Sequence, residues 1–159
     1  MKSEQVESFR RFVSLLPHGK EIDLVILKAH LLIEEQIRLI IVNNLPSPHA
    51  IKEANLSCSQ AICLAQALLP DELDQSCWKG AKKLNNIRNK IAHNITNEGL
   101  YHQIEDFINA VPANWGKLDC DLQEQFELSL WSLFAQISSY TDIEVAYSVQ
   151  EFLNPEEIN

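Results

Sequence analysis

Arg88, Asn89 and His93, within the hexapeptide Arg88-Asn89-Lys90-Ile91-Ala92-His93, are the residue types that phosphodiester chemistry uses. Cleavage of RNA by its own 2′-hydroxyl requires a group that moves protons and a cation that holds the non-bridging oxygens as charge builds in the transition state. His93 would act as general acid or base, Arg88 would clamp the phosphate, and Asn89 would orient the phosphate or His93. No metal or other cofactor is called for. On a helix, Asn89 and His93 stand four apart and share a face, whereas Arg88 and His93, five apart, lie about 140° around the axis. These two line one pocket only where the helix ends or where a partner completes it. His93 falls at the expected helix C-terminus, where the dipole and the nearby lysines act on the imidazole in opposite senses, and imidazole is the side chain best suited to proton transfer. The same Arg and His are also readable as a structural or solvated pair.

The charge around the hexapeptide is unlike that of the rest. Residues 75–97 hold Lys79, Lys82, Lys83, Arg88 and Lys90 with no Asp or Glu, a charge of +5 in a chain of net −9, which leaves −14 elsewhere. A positive patch on a negative body can hold phosphate while the body repels non-specific polyanions, so Lys79, Lys82, Lys83 and Lys90 are candidate RNA-backbone contacts. A solvated lysine face on a surface helix is the plainer alternative.

Positioning these residues falls to helices. With 159 residues, 46% hydrophobic, four glycines and six prolines, the chain suits one domain and is poor in the turn residues of an all-β fold. The expected architecture is an all-α, single-domain up-and-down bundle over 1–159, with its core at about 20–140. A short helix is predicted over Glu4–Leu16. The segment Glu21–Leu45 is apolar on nearly every face and is predicted to be a helix buried on most sides, too often interrupted by Lys28, His30, Glu34, Glu35, Gln36 and Arg38 to span a bilayer. Pro46 ends it. A helix over 50–69 follows, then one from an N-cap at Ser76 to His93 with its apolar stripe on Cys77, Ala81, Leu84, Ile87 and Ile91. Asn94 and the cluster Thr96-Asn97-Glu98-Gly99 stop it. Further helices are predicted over Leu100–Ala110, Leu118–Tyr140 and Asp142–Leu153, before a polar tail at 154–159.

The segment Leu84-Asn85-Asn86-Ile87-Arg88-Asn89-Lys90-Ile91-Ala92-His93 resembles the signature of HEPN-domain proteins: an Arg, a polar residue directly after it, and a His four to six residues beyond, on a helix of an all-α bundle. The likeness covers roughly residues 20–140, from the apolar early helix to the amphipathic helices after the motif. It implies a homodimer whose two motifs face each other across a cleft and act as a metal-independent endoribonuclease on RNA such as tRNA or mRNA, often as a toxin or defence effector with an antitoxin or regulatory partner. Some members of the family lack activity and serve as dimerisation or regulatory modules. One departure stands out: a toxin subgroup carries a Tyr just beyond the motif His, where this chain has Asn94-Ile95-Thr96 and its nearest Tyr is Tyr101. That puts a nucleotidyltransferase antitoxin in doubt and leaves the nuclease untouched.

Other residues read more plainly. Cys58, Cys63, Cys77 and Cys120 form no CxxC pair and read as small core residues of a reducing compartment. With no apolar h-region after Met1, a cytoplasmic location is expected. Glu34 and Arg38 make an i,i+4 pair, with service as a support for Arg88 or His93 the sharper alternative. His30 reads as a satisfied core or interface histidine, His18 and His49 as loop residues, and His102 as a surface residue that could approach the site. Trp78, Trp115 and Trp131 read as packing residues, with base stacking the alternative for Trp78.

Overall fold

Isoleucine and leucine at nearly every turn give residues 22–44 apolar faces for neighbours on several sides. The computed structural model describes residues 3–93, 98–111 and 120–153. Among them are eight α-helices and no strand: α1 (Ser3–Leu15), α2 (Ile22–Asn44), α3 (Pro48–Glu53), α4 (Cys58–Leu68), α5 (Cys77–His93), α6 (Leu100–Ala110), α7 (Leu122–Ser139) and α8 (Ile143–Leu153). The all-α class expected from composition is therefore observed. Helix α2 touches α1, α3, α4, α5 and α7, and its buried residues, from Val25 to Ile41, face several directions because it has neighbours on several sides. Its remaining stripe leaves Leu24 and Leu31 exposed. No helix among the described residues is long and apolar enough to cross a membrane.

The helix predicted over 50–69 is two helices. Asn55 adopts φ 48°, a left-handed conformation that breaks α3, and Ser57 then caps α4: its hydroxyl accepts from the Gln60 amide while the Gln60 side chain accepts from the Ser57 amide. A capping box of this kind contributes about 1 kcal/mol, and it wins over a continuous apolar pattern because the polar Asn55-Leu56-Ser57 step offers the chain a local alternative. Asp121 caps α7 in the same way with Glu124, so that helix begins at Leu122 and not at Leu118. The stretch 112–119, with Trp115, lies outside the described residues, as do 94–97 and the expected tail at 154–159. Ser76 stands directly before α5, where the sequence places the helix start; its hydroxyl donates to Asp74 Oδ2 and its amide to Asp74 Oδ1, forming a turn that leads into the helix.

Helix α5 buries the predicted stripe. Cys77, Ala81, Leu84 and Ile87 are buried and Ile91 packs against the core. Gly80 lets α5 approach closely, since a Cβ there would stand 2.9 Å from Val111 Cγ2 and 3.4 Å from Leu133 Cδ1. Trp78 is 1% exposed and stacks on Tyr140, with centroids 6.1 Å apart, so its ring is core and unavailable for base stacking. Tyr140 in turn donates its hydroxyl to the Asp74 carbonyl. The cysteines do not share one fate: Cys77 is buried, Cys58 and Cys120 are half-buried, and Cys63 is exposed, against the expectation that all four are core.

Candidate functional site

Helix α5 presents two polar faces. Along the outer one, Lys79, Lys82 and Lys83, Asn86, Lys90 and His93 follow one another at steps of three and four residues, the spacing that keeps side chains on one side of a helix. An open groove of about 450 Å³ lies along its first half, lined by Lys79, Lys82, Lys83 and Asn86 with Gln66 of α4. Lys82 donates to Gln66 Oε1 at 3.1 Å, and Lys83 stands 3.8 Å from Asp106 of α6, which offsets part of its charge. Lys90 reaches toward the turn that follows the helix, where its Nζ would lie 3.2 Å from a Cβ at Gly99. His93 is exposed and hydrogen-bonds to no described residue.

The inner polar face is built by Asn85 and Arg88. Asn85 is buried, and its Oδ1 stands 3.1 Å from His30 Nε2 of α2. Arg88 is half-buried and donates from Nη1 to Asn89 Oδ1 at 3.1 Å. Its positive charge acts on both His30 and Cys58. The motif's Arg and the polar residue after it are thus joined directly, whereas Arg88 and His93 leave the helix on different sides, as the five-residue spacing requires.

Around Arg88 the structure assembles a cluster that spacing alone does not suggest. Glu34 Oε1 accepts from Arg38 Nε at 3.0 Å and from Arg38 Nη2 at 2.6 Å, and the same Nη2 donates to the Leu56 carbonyl. The expected Glu34–Arg38 pair is therefore present, with Glu34 the more buried partner. The second carboxylate oxygen, Glu34 Oε2, lies 3.7 Å from His30 Nδ1. Cys58, the first residue of α4, completes the group: a nitrogen of His30, a carboxylate oxygen of Glu34 and Cys58 Sγ lie within 4.8 Å of one another. Burial pushes the His30 pKa below its ordinary value, opposed by the hydrogen bond to Asn85 and the Glu34 charge and reinforced by Arg88. Burial pushes the Cys58 thiol up to about 11, helped by Glu34 and opposed by Arg38 and Arg88. A neutral imidazole and a protonated thiol are the ground states of these two groups in the metal-free chain.

Cys58 and Asn85 were not foreseen as partners of this cluster. One signal was available: His30 and Glu34 are four apart on α2, as Asn85 and Arg88 are three apart on α5, so each helix carries a polar pair inside an apolar pattern. Elsewhere, His18 Nδ1 lies 2.9 Å from Glu127 Oε2, His49 sits in α3 and not in a loop, and His102, near Glu105, is exposed along with Tyr101. No family model, no curated protein and no solved structure matches the chain.

Proposed function

We propose that the protein is a HEPN-like endoribonuclease that works as a homodimer and cleaves RNA through attack of the 2′-hydroxyl. The observation that carries this reading is the outer face of α5, where four lysines and Asn86 lead to an exposed His93 that hydrogen-bonds to no described residue, while Arg88 and Asn89 are hydrogen-bonded to each other. The lysines track the phosphate backbone. His93 moves the protons, and Arg88 and Asn89 hold the non-bridging oxygens. Because Arg88 and His93 project about 140° apart on one helix, a second copy supplies the missing half of each phosphate site. A role as toxin or defence effector with a regulatory partner rests on the resemblance alone.

A second reading draws on Arg88. It is half-buried and already donates to Asn89 Oδ1, so the residue has a contact inside the chain whether or not RNA is present. In that reading the protein is a non-catalytic dimerisation or regulatory module. Purified protein incubated with total tRNA or an mRNA transcript in EDTA separates the two. Products ending in 2′,3′-cyclic phosphate, absent with Arg88→Ala and His93→Ala, support the nuclease; intact RNA under all conditions supports the module.

A further inference from the structure

We propose that His30, Glu34 and Cys58 form a three-ligand site for a divalent cation of the zinc type, with a fourth coordination position open to water. The inference does not depend on the ribonuclease reading, whose chemistry uses no metal.

The orientation of His30 carries the proposal. Its side chain is 6% exposed, and Nε2 donates to the carboxamide oxygen of Asn85 at 3.1 Å. That bond leaves Nδ1 as the bare lone pair, and Nδ1 is buried with no hydrogen-bond partner among the described residues. An orphaned buried nitrogen is costly, because it has given up water without gaining a partner. What it faces is a second electron-rich atom, Glu34 Oε2 at 3.7 Å. Two lone pairs at this separation repel unless a cation lies between them. An imidazole held through its other nitrogen by a side-chain oxygen is the arrangement that orients histidine toward a metal.

The distances suit the small tetrahedral ion. Bond lengths of about 2.0–2.3 Å to nitrogen, oxygen and sulfur place tetrahedral ligand atoms about 3.3–3.6 Å apart. The His30–Glu34 separation of 3.7 Å needs almost no adjustment. Cys58 Sγ, within 4.8 Å of a ring nitrogen of His30 and a carboxylate oxygen of Glu34, closes the remainder by a side-chain torsion at the first residue of α4. Glu34 is divided between two tasks: Oε1 is held by Arg38 and Oε2 faces the cluster. Binding releases one proton to solvent, because the Cys58 thiol becomes a thiolate as the sulfur–metal bond forms. Arg38 and Arg88 add positive charge nearby, which disfavours hard cations held by charge alone. Ions that gain from bonding to thiolate and imidazole are selected instead.

The test uses the full chain, reduced and stripped with chelator, titrated with Co²⁺. Expected is a thiolate-to-cobalt charge-transfer band that saturates at one equivalent, is removed by Zn²⁺ and is unaffected by excess Mg²⁺. Cys58→Ser removes the band and Cys63→Ser keeps it. Asn85→Ala weakens binding by about 10- to 100-fold through loss of the imidazole's anchor. Circular dichroism checks the fold of each variant; should Cys58→Ser not fold, Glu34→Gln and the wild-type titration decide. A folded wild-type protein with no thiolate band, or a band that survives Cys58→Ser, overturns the proposal.

Discussion

Replacing His93 by Ala separates a catalytic role from a structural one. The side chain is exposed, at the last turn of α5, and hydrogen-bonds to no described residue, so its loss removes little native contact. Surface changes of this sort stay within about 0.5 kcal/mol, which at this chain length moves the melting temperature by less than about 2 °C. If His93 transfers the proton, cleavage nonetheless falls by about 10² to 10⁴. Arg88→Ala behaves differently. It removes a half-buried guanidinium and its bond to Asn89, so a loss of about 1 kcal/mol accompanies a fall in cleavage of about 10² to 10³. The assay pairs thermal melts by circular dichroism with cleavage of a 5′-labelled RNA, run with and without chelator. A folded His93→Ala variant that cleaves at the wild-type rate refutes the catalytic assignment. A loss of more than about 2 kcal/mol in that variant refutes the picture of His93 as a surface residue that hydrogen-bonds to no described residue.

Three other outcomes are expected. Gly80→Ala removes a helix-interior glycine, worth about 1 kcal/mol to stability, but drives a Cβ to 2.9 Å from Val111; with overpacking costing about 1–3 kcal/mol the urea midpoint falls, and a rise contradicts the close approach of α5 to its neighbours. Burial pushes the Cys77 thiol up to about 12 from an ordinary value of 9.0, so native Cys77 stays protonated while the unfolded chain ionises: its contribution is complete below pH 9 and is lost as pH rises from 9 toward 12. Urea melts across that window read the loss, which Cys77→Ala flattens, and thiol labelling at pH 8 modifies exposed Cys63 long before Cys77; equal labelling rates contradict the burial. RNA binding weakens with salt at a log–log slope of about −3 if Lys79, Lys82, Lys83 and Lys90 each neutralise a phosphate, and nearer −2 if Asp106 keeps Lys83; a slope near zero removes the lysine face from the interface.

Much of α5 was legible in advance. The spacing of Cys77, Ala81, Leu84, Ile87 and Ile91 specifies a helix with one buried face, and the same periodicity puts the lysines and His93 on another, because both follow from 3.6 residues per turn. The five-residue step from Arg88 to His93 already implied their divergence. Boundaries set by side-chain capping were less visible. Ser57 and Asp121 end up at N-caps because each has a glutamine or glutamate three residues on, a local pattern that the longer apolar periodicity masks.

From the sequence alone come the helical class, the buried character of α2, the positive face of α5 and the Arg88-Asn89…His93 motif, all properties of neighbours along one chain. Only the tertiary structure brings His30, Glu34, Cys58 and Asn85 together. They come from three helices, and their meeting depends on how α2, α4 and α5 pack, which the pattern of any one helix does not specify. Packing likewise turned Trp78 into the core against Tyr140 and left Cys63 in solvent, since burial is decided by which neighbouring helix covers a face.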